Sequence, residues 1–206
     1  MTPLTICISS LRERSASLCA LLQSLAAQDR ADEVEVLVAI DGRQADGLQT
    51  TTGAKRNQLV ASARGLFVAH VDDDDTVSPR YIPTILDAIA QSPDASAILI
   101  RGERLDSGKK VWEFTYDVAT GIWPGPHQEQ GPWDGGGEGV VVRRPPDHLC
   151  PVRTAIARAV PFEDRRVNED VEWSRAVAER LCTSARAEGV IYTYRTYAGR
   201  EWERVK

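Results

Sequence analysis

The first hundred residues switch between two hydrophobic periods, and this alternation constrains the fold more than any other feature of the chain. Leu4 to Ser9, Val34 to Ile40, Leu66 to Val71 and Ala97 to Ile100 are short apolar runs rich in β-branched residues, the composition of buried strands. The stretches between them repeat at helical offsets: Leu18, Leu21, Leu22 and Leu25 in one, Ile82, Ile85, Leu86 and Ile89 in another. Ser78 and Pro79 have the chemistry of an N-cap and first helical residue for the second helix, while Pro83 removes an early backbone donor and argues for a later start. Strand, helix, strand, helix in that order predicts an α/β fold with a mainly parallel central sheet flanked by helices. Ligands of such sheets bind beyond the carboxyl ends of the strands. Two acidic features fall there: Asp41-Gly42 after the second strand and Asp72 to Asp75 after the third.

The second half reads differently. Residues 117–146 are crowded with Gly, Pro and Trp (GIWPGPHQEQGPWDGGGEG), and an aperiodic segment of this length is expected to be a binding loop or lid. Its Trp123 and Trp133 are the candidates for docking an acceptor. Helical patterns return over Pro151 to Val160 and Asn168 to Cys182, the latter with Trp173, Val177 and Leu181 on one face, and Val190 to Tyr194 reads as a last strand. At 206 residues the chain suits one domain, which buries about 70% of its unfolded surface without needing staples.

Charge argues against one class of partner. The net charge is −5 with both signs interspersed, so there is no basic field of the kind duplex nucleic acid needs. Cys7, Cys19, Cys150 and Cys182 form no CxxC pair and read as buried small hydrophobes in a reducing compartment. No stretch approaches the ~20 apolar residues of a membrane-spanning helix, and the chain enters its first strand without a leader-like segment. The cytoplasm is the expected location.

Four consecutive aspartates repel one another and suit a strand end poorly, whereas a solvated turn needs only one or two. The run therefore points to a divalent cation, Mg²⁺ or Mn²⁺, which takes hard oxygen ligands and uses one or two protein carboxylates beside phosphate and water. Asp72 and Asp74, two apart, fall on one side of an extended terminus, one to reach the metal and the other the ribose or a metal-bound water. Lys55-Arg56-Asn57, at the head of the preceding helix, adds a basic pair for a nucleotide or phosphate. Further on, Asn168 is a suitable N-cap, and Glu169 and Asp170 are favoured in a first helical turn by the dipole.

Taken in order, ICISSLRERSASLCALLQSL, VEVLVAIDG, AKRNQLVASARG, FVAHVDDDDTVSPRYI and VNEDVEW resemble the family 2 glycosyltransferases. The resemblance implies a GT-A (Rossmann-like) fold with a nucleotide-sugar-binding half at 1–102 and an acceptor-binding, catalytic half at 103–206. It also implies a metal-dependent inverting transfer from a nucleotide diphosphate donor, a UDP-sugar favoured, to an acceptor: a saccharide, small molecule, protein or modified nucleobase. Ser9 and Arg12 would lie near the donor nucleotide, Asp41 would accept a hydrogen bond from its base, and Lys55 and Arg56 would help hold it. Asp72, with Asp73 beside it, belongs to the same site; Asp72 and Asp74 match the Asp-x-Asp motif, with Asp74 the direct ligand of Mn²⁺ or Mg²⁺. The family's late histidine is missing, so His148 or water takes the last ligand position. Asp170 matches the general base and Glu169 its orienting neighbour.

Rival readings are a nucleotidyltransferase and a sugar-nucleotide-binding protein without turnover. SSLRERSAS lacks the glycine-rich phosphate loop of the first, and no GxGxxG follows the first strand as a dehydrogenase requires. Outside these motifs, His70 is expected to be a satisfied core histidine, and Arg143-Arg144 a solvated strand end.

Overall fold

Three parallel strands realise the predicted alternation. In the computed structural model, which describes residues 2–41, 50–118 and 141–196, β1 (Leu4–Leu11) leads through α1 (Ser15–Ala26) to β2 (Glu35–Asp41). From there α2 (Thr52–Ser62) returns the chain to β3 (Phe67–His70) on the other flank of β1. Both pairings with β1 are parallel. Right-handed crossovers leaving in opposite directions put α1 and α2 on opposite faces of the sheet. The connection order reverses between β1 and β3, and open α/β sheets bind their ligands outside the carboxyl ends of the strands at such a reversal.

Next come β4 (Thr76–Val77), α3 (Tyr81–Gln91), β5 (Ala97–Asp106), β6 (Lys109–Tyr116), β7 (Val141–Arg144), β8 (Val152–Arg153), α4 (Thr154–Ala159), α5 (Glu169–Ala178) and β9 (Ser184–Thr196). The sheet runs β2-β1-β3-β8-β5-β6-β7, with β9 paired to β5 and β4. The expected α/β class holds, but directions mix beyond β3. The short β8 runs antiparallel to both β3 and β5, while β9 lies parallel to β5 and β7 parallel to β6.

Local chemistry explains these boundaries. Leu4, Ile6, Cys7 and Ile8 have no exposed surface, as a strand covered on both faces requires. Thr51 caps α2 by accepting from the Ala54 N–H at 3.0 Å. The helix α3 begins at Tyr81 instead of Pro79, with Ser78 accepting the Arg80 N–H and Gln28 Oε1 the Ile82 N–H. Pro83 thus sits in the first turn, where a missing N–H breaks no helical bond. Asn168 precedes α5 as expected, yet it adopts a left-handed φ of 62° and makes no side-chain cap bond.

β6 was not anticipated. Its Trp112, Phe114 and Tyr116 are buried at a period of two, with neighbouring rings edge-to-face at 5.9 and 5.6 Å. Gly102 on β5 makes room for this stack, since a Cβ there would fall 2.2 Å from the Phe114 ring. β7 forms within the stretch expected to be loop, whereas Trp123, Trp133 and the expected lid lie outside the described residues. Cys7 and Cys150 are buried, but Cys19 and Cys182 are exposed on the surface, correcting the expectation that all four are core residues. Among the described residues, no helix is long and apolar enough to cross a membrane.

Candidate active site

The four aspartates form a turn, closed by the Asp75 N–H donating to the Asp72 carbonyl at 3.1 Å, where an extended terminus was expected. Their burial alternates. Asp73 and Asp75 are 2% and 3% exposed, while the side chains of Asp72 and Asp74 keep 31% and 29% of their surface. Asp73 accepts from Ser10 Oγ at 2.6 Å and from Arg14 Nη1 at 2.8 Å, across the reversal between β1 and β3. Asp75 accepts from the Tyr192 hydroxyl at 2.6 Å and the Arg195 N–H at 2.8 Å, both from β9. Arg14 also meets Asp74 at 3.0 Å. Protein donors thus absorb much of the repulsion, and crowding alone does not demand a cation.

Electrostatics separates the four further. Burial, reinforced by the Asp72 charge, pushes the Asp75 carboxyl well above the usual range despite its bond from Tyr192. Burial also raises Asp74, with Arg14 opposing. Asp72 goes the other way: burial would raise it, but Arg56 and then His148 hold its carboxyl well below the ordinary value.

Arg56 ties the acidic turn to the start of α5. Its Nη2 lies 2.9 Å from Asp72 Oδ1 and its Nη1 2.8 Å from Glu169 Oε1, and the residue is only 3% exposed. The guanidinium stands 5.5 Å over the Phe162 ring, which stacks on Trp173 at 4.6 Å. α2 is clamped to the segment before α5: Asn57 exchanges two 2.8 Å bonds with the backbone of Phe162, and the Gly53 N–H donates to the Arg165 carbonyl. A Cβ on Gly53 would sit 1.8 Å from the Glu163 carbonyl oxygen, so only glycine permits this approach. Glu169 is 5% exposed and raised by burial, with Arg56 opposing, while the Asp170 side chain keeps 34% of its surface.

A second bridge runs through His148, whose Nε2 lies 3.6 Å from Asp72 Oδ2 and whose Nδ1 lies 3.6 Å from Asp170 Oδ2. The structure therefore brings Asp72, Arg56, His148, Glu169 and Asp170 together, with Asp73 and Asp74 adjoining. Among the described residues, no group of three or more His, Cys, Asp or Glu is arranged to hold a metal by itself.

The remaining candidates spread along the strand ends. Lys55 is buried with its Nζ donating to the Ser10 carbonyl at 3.1 Å; burial lowers its pKa, while Asp41 and Asp73 oppose the shift. Asp41 accepts the Thr50 N–H at 2.6 Å, and with Lys55, Gln58 and Leu59 it lines an open cleft beside β2. Ser9 Oγ is buried with no hydrogen-bond partner among the described residues. Arg12 is exposed at the first position of the turn that follows β1, and it is Arg14, two residues on, that meets the carboxylates.

Sequence reasoning missed several participants, Ser10, Arg14 and Tyr192 foremost. It misjudged Arg144, which is no solvated strand end. Its side chain is 13% exposed, pairs with Asp147 at 3.1 Å and lies over the Phe114 and Tyr116 rings, whereas Arg143 is indeed exposed at 74%. His70 is a core residue as expected, but neither ring nitrogen has a hydrogen-bond partner among the described residues. Burial keeps its pKa well below the ordinary value, with Arg56 adding to the effect. Trp112, Phe114 and Tyr116 alternate at the strand period in the sequence, the one local signal from which part of this surrounding wall could have been read.

With this geometry in view, comparison with solved structures shows the arrangement to be a GT-A-type α/β fold. Similar structures include those of S. aureus TarS. TarS 1-349 matches at a TM-score of 0.61 and 15% identity over 94% of this chain, and its complex with UDP-GlcNAc at 0.63 and 16% over 99%. A longer TarS chain gives 0.64 and 15%. This chain spans 60–61% of TarS 1-349 and 37% of the longer form. At such identity the likeness is one of fold. No protein-family model matches the chain, and no curated protein does.

Proposed function

We propose that the chain is a glycosyltransferase that moves a sugar from a nucleotide diphosphate to an acceptor hydroxyl with inversion, Asp170 acting as general base. The observation that carries the reading is the meeting of two part-exposed acidic sites at the sheet's reversal point, spanned by Arg56 and His148. One site suits the departing diphosphate and the other the incoming hydroxyl. The TarS complexes with UDP-GlcNAc and UDP make a UDP-sugar the first donor to try.

The donor set fits Mg²⁺ or Mn²⁺. Asp74 and Asp72 offer the one or two carboxylates such an ion takes from a protein, leaving diphosphate and water to complete its shell. Bound there, the ion would offset charge on the leaving diphosphate as a Lewis acid. Asp41 and Lys55 line the cleft beside β2, and with Ser9 and Arg12 they are the residues proposed to meet the nucleotide. Buried Arg56 acts behind the carboxylates, holding Asp72 and Glu169 apart at fixed spacing. Glu169 is thereby anchored, and Asp170, the next residue of the same turn, presents its carboxylate to the acceptor. Trp123 and Trp133 remain the proposed acceptor-docking aromatics, and saccharides, small molecules, proteins and modified nucleobases are the acceptor classes to test.

The test is release of nucleotide diphosphate from UDP-, GDP-, dTDP- and CDP-sugars with Mn²⁺. At least one donor is expected to be turned over, and Asp170→Asn to slow it by about 10²–10⁴-fold. Release of inorganic diphosphate would indicate a nucleotidyltransferase, and tight donor binding without turnover a silent binding protein. Equal rates in chelator would remove the metal from the scheme.

A further inference from the structure

His148 is held more firmly than a surface ligand needs to be. Asp147 accepts the Leu149 N–H at 2.9 Å, the Cys150 N–H closes the turn on the Asp147 carbonyl at 3.0 Å, and the Tyr116 hydroxyl and Arg144 Nη2 both reach Asp147 Oδ2. The His148 carbonyl accepts the His70 N–H at 3.1 Å, joining this turn to the end of β3. The residue is 7% exposed and its ring rests edge-on against His70 at 6.4 Å. Backbone and ring are thus fixed from β3, β6 and β7 together.

A pinned imidazole presents nitrogens on two sides of one rigid plane. Here one faces Asp72 and the other Asp170, each at 3.6 Å, beyond hydrogen-bond range, and neither has a hydrogen-bond partner among the described residues. A carboxylate movement of about half an ångström would close either bond. The same rigid ring thus stands between the two carboxylates, with one nitrogen toward each.

We infer that His148 is a positioning residue that couples the two ends of the reaction: once Asp72 is engaged by donor, the fixed ring is left to Asp170 alone and orients its carboxylate toward the acceptor. The inference rests on the transferase reading above. It predicts that donor binding is felt at the base before any acceptor arrives.

The chain has three histidines, His70, His127 and His148, so ring nitrogen resonances of the labelled full chain are few enough to resolve. UDP with Mg²⁺ is expected to shift the His148 resonance, assigned by its loss in His148→Gln, and Asp72→Asn to abolish the shift. With a UDP-sugar that the wild type turns over, His148→Ala should lower kcat about 10- to 100-fold, as for residues that orient a reacting group. UDP affinity should change little, and His148→Gln should regain part of the rate. The coupling is overturned if UDP with Mg²⁺ leaves the His148 resonance in place. It is equally overturned if His148→Ala keeps the wild-type rate, or loses rate and UDP affinity in proportion. Those results spare the transferase reading; absence of turnover by the wild type with every donor removes both.

Discussion

Asp73 and Asp75 belong to the wall of the molecule, while their neighbours Asp72 and Asp74 belong to its crevice. The first pair is almost fully buried and spends its oxygens on Ser10, Arg14, Tyr192 and the backbone of Arg195. The second pair keeps about a third of its surface and faces the cationic or titratable side chains of Arg56, His148 and Arg14. Four identical residues in sequence therefore divide into two functions because a tight turn sends alternate side chains inward. The inward pair fastens β1 and β9 to the loop, and the outward pair is the one proposed to meet a ligand.

Substitutions can break this division or sharpen it. The largest effect is expected from Asp74→Asn, which should cut donor turnover by on the order of 10²–10³-fold while leaving the melting temperature unchanged. A large loss of stability would place Asp74 in the wall with its neighbours. Asp75→Ala should do the reverse. It strands the buried Tyr192 hydroxyl and Arg195 N–H, costing about 2–4 kcal/mol in denaturant unfolding.

Glu35 supplies a reference carboxylate far from the crevice. Burial alone would raise its pKa, but bonds from the Arg64 N–H, the Thr5 hydroxyl and the Arg64 side chain bring it below the usual value. Glu35→Gln is expected to cost about 1 kcal/mol at neutral pH, measured by urea unfolding. Because the folded value is depressed, that contribution is present above the unfolded pKa and fades as pH falls through the folded one. Asp75, displaced upward, has the opposite sign: its contribution is fully present below the unfolded carboxyl pKa and is lost as pH rises through the folded value. Matching slopes for the two residues would contradict the burial argument.

Much of the first hundred residues was legible because apolar periodicity is a local record of which side faces the core. It located β1, β2, β3 and the acidic residues at their ends, and it set Asp41 and Asp72 to Asp75 on one edge. Polar partnerships are not local. Nothing in LRER distinguishes exposed Arg12 from Arg14, since the choice depends on where a short turn after β1 points. Arg56 read as a helix-end cation, and only the approach permitted by Gly53 reveals that the segment before α5 covers it. Arg144 and Tyr192 take their places from strands that pair far along the chain. The crowding of the aspartates does not by itself require a cation for the same reason, because donors to Asp73, Asp74 and Asp75 come from β1, the turn after it and β9.

Asp72 and Asp74 are proposed to receive a nucleotide diphosphate together with a divalent ion. Calorimetric titration of UDP into the wild type and Asp74→Asn, with Mn²⁺ and with chelator, tests it most directly. Binding by the wild type that depends on Mn²⁺ and weakens at least about tenfold (~1.4 kcal/mol) in Asp74→Asn is the predicted result. Affinity that is equal in chelator, or untouched by the substitution, would contradict it.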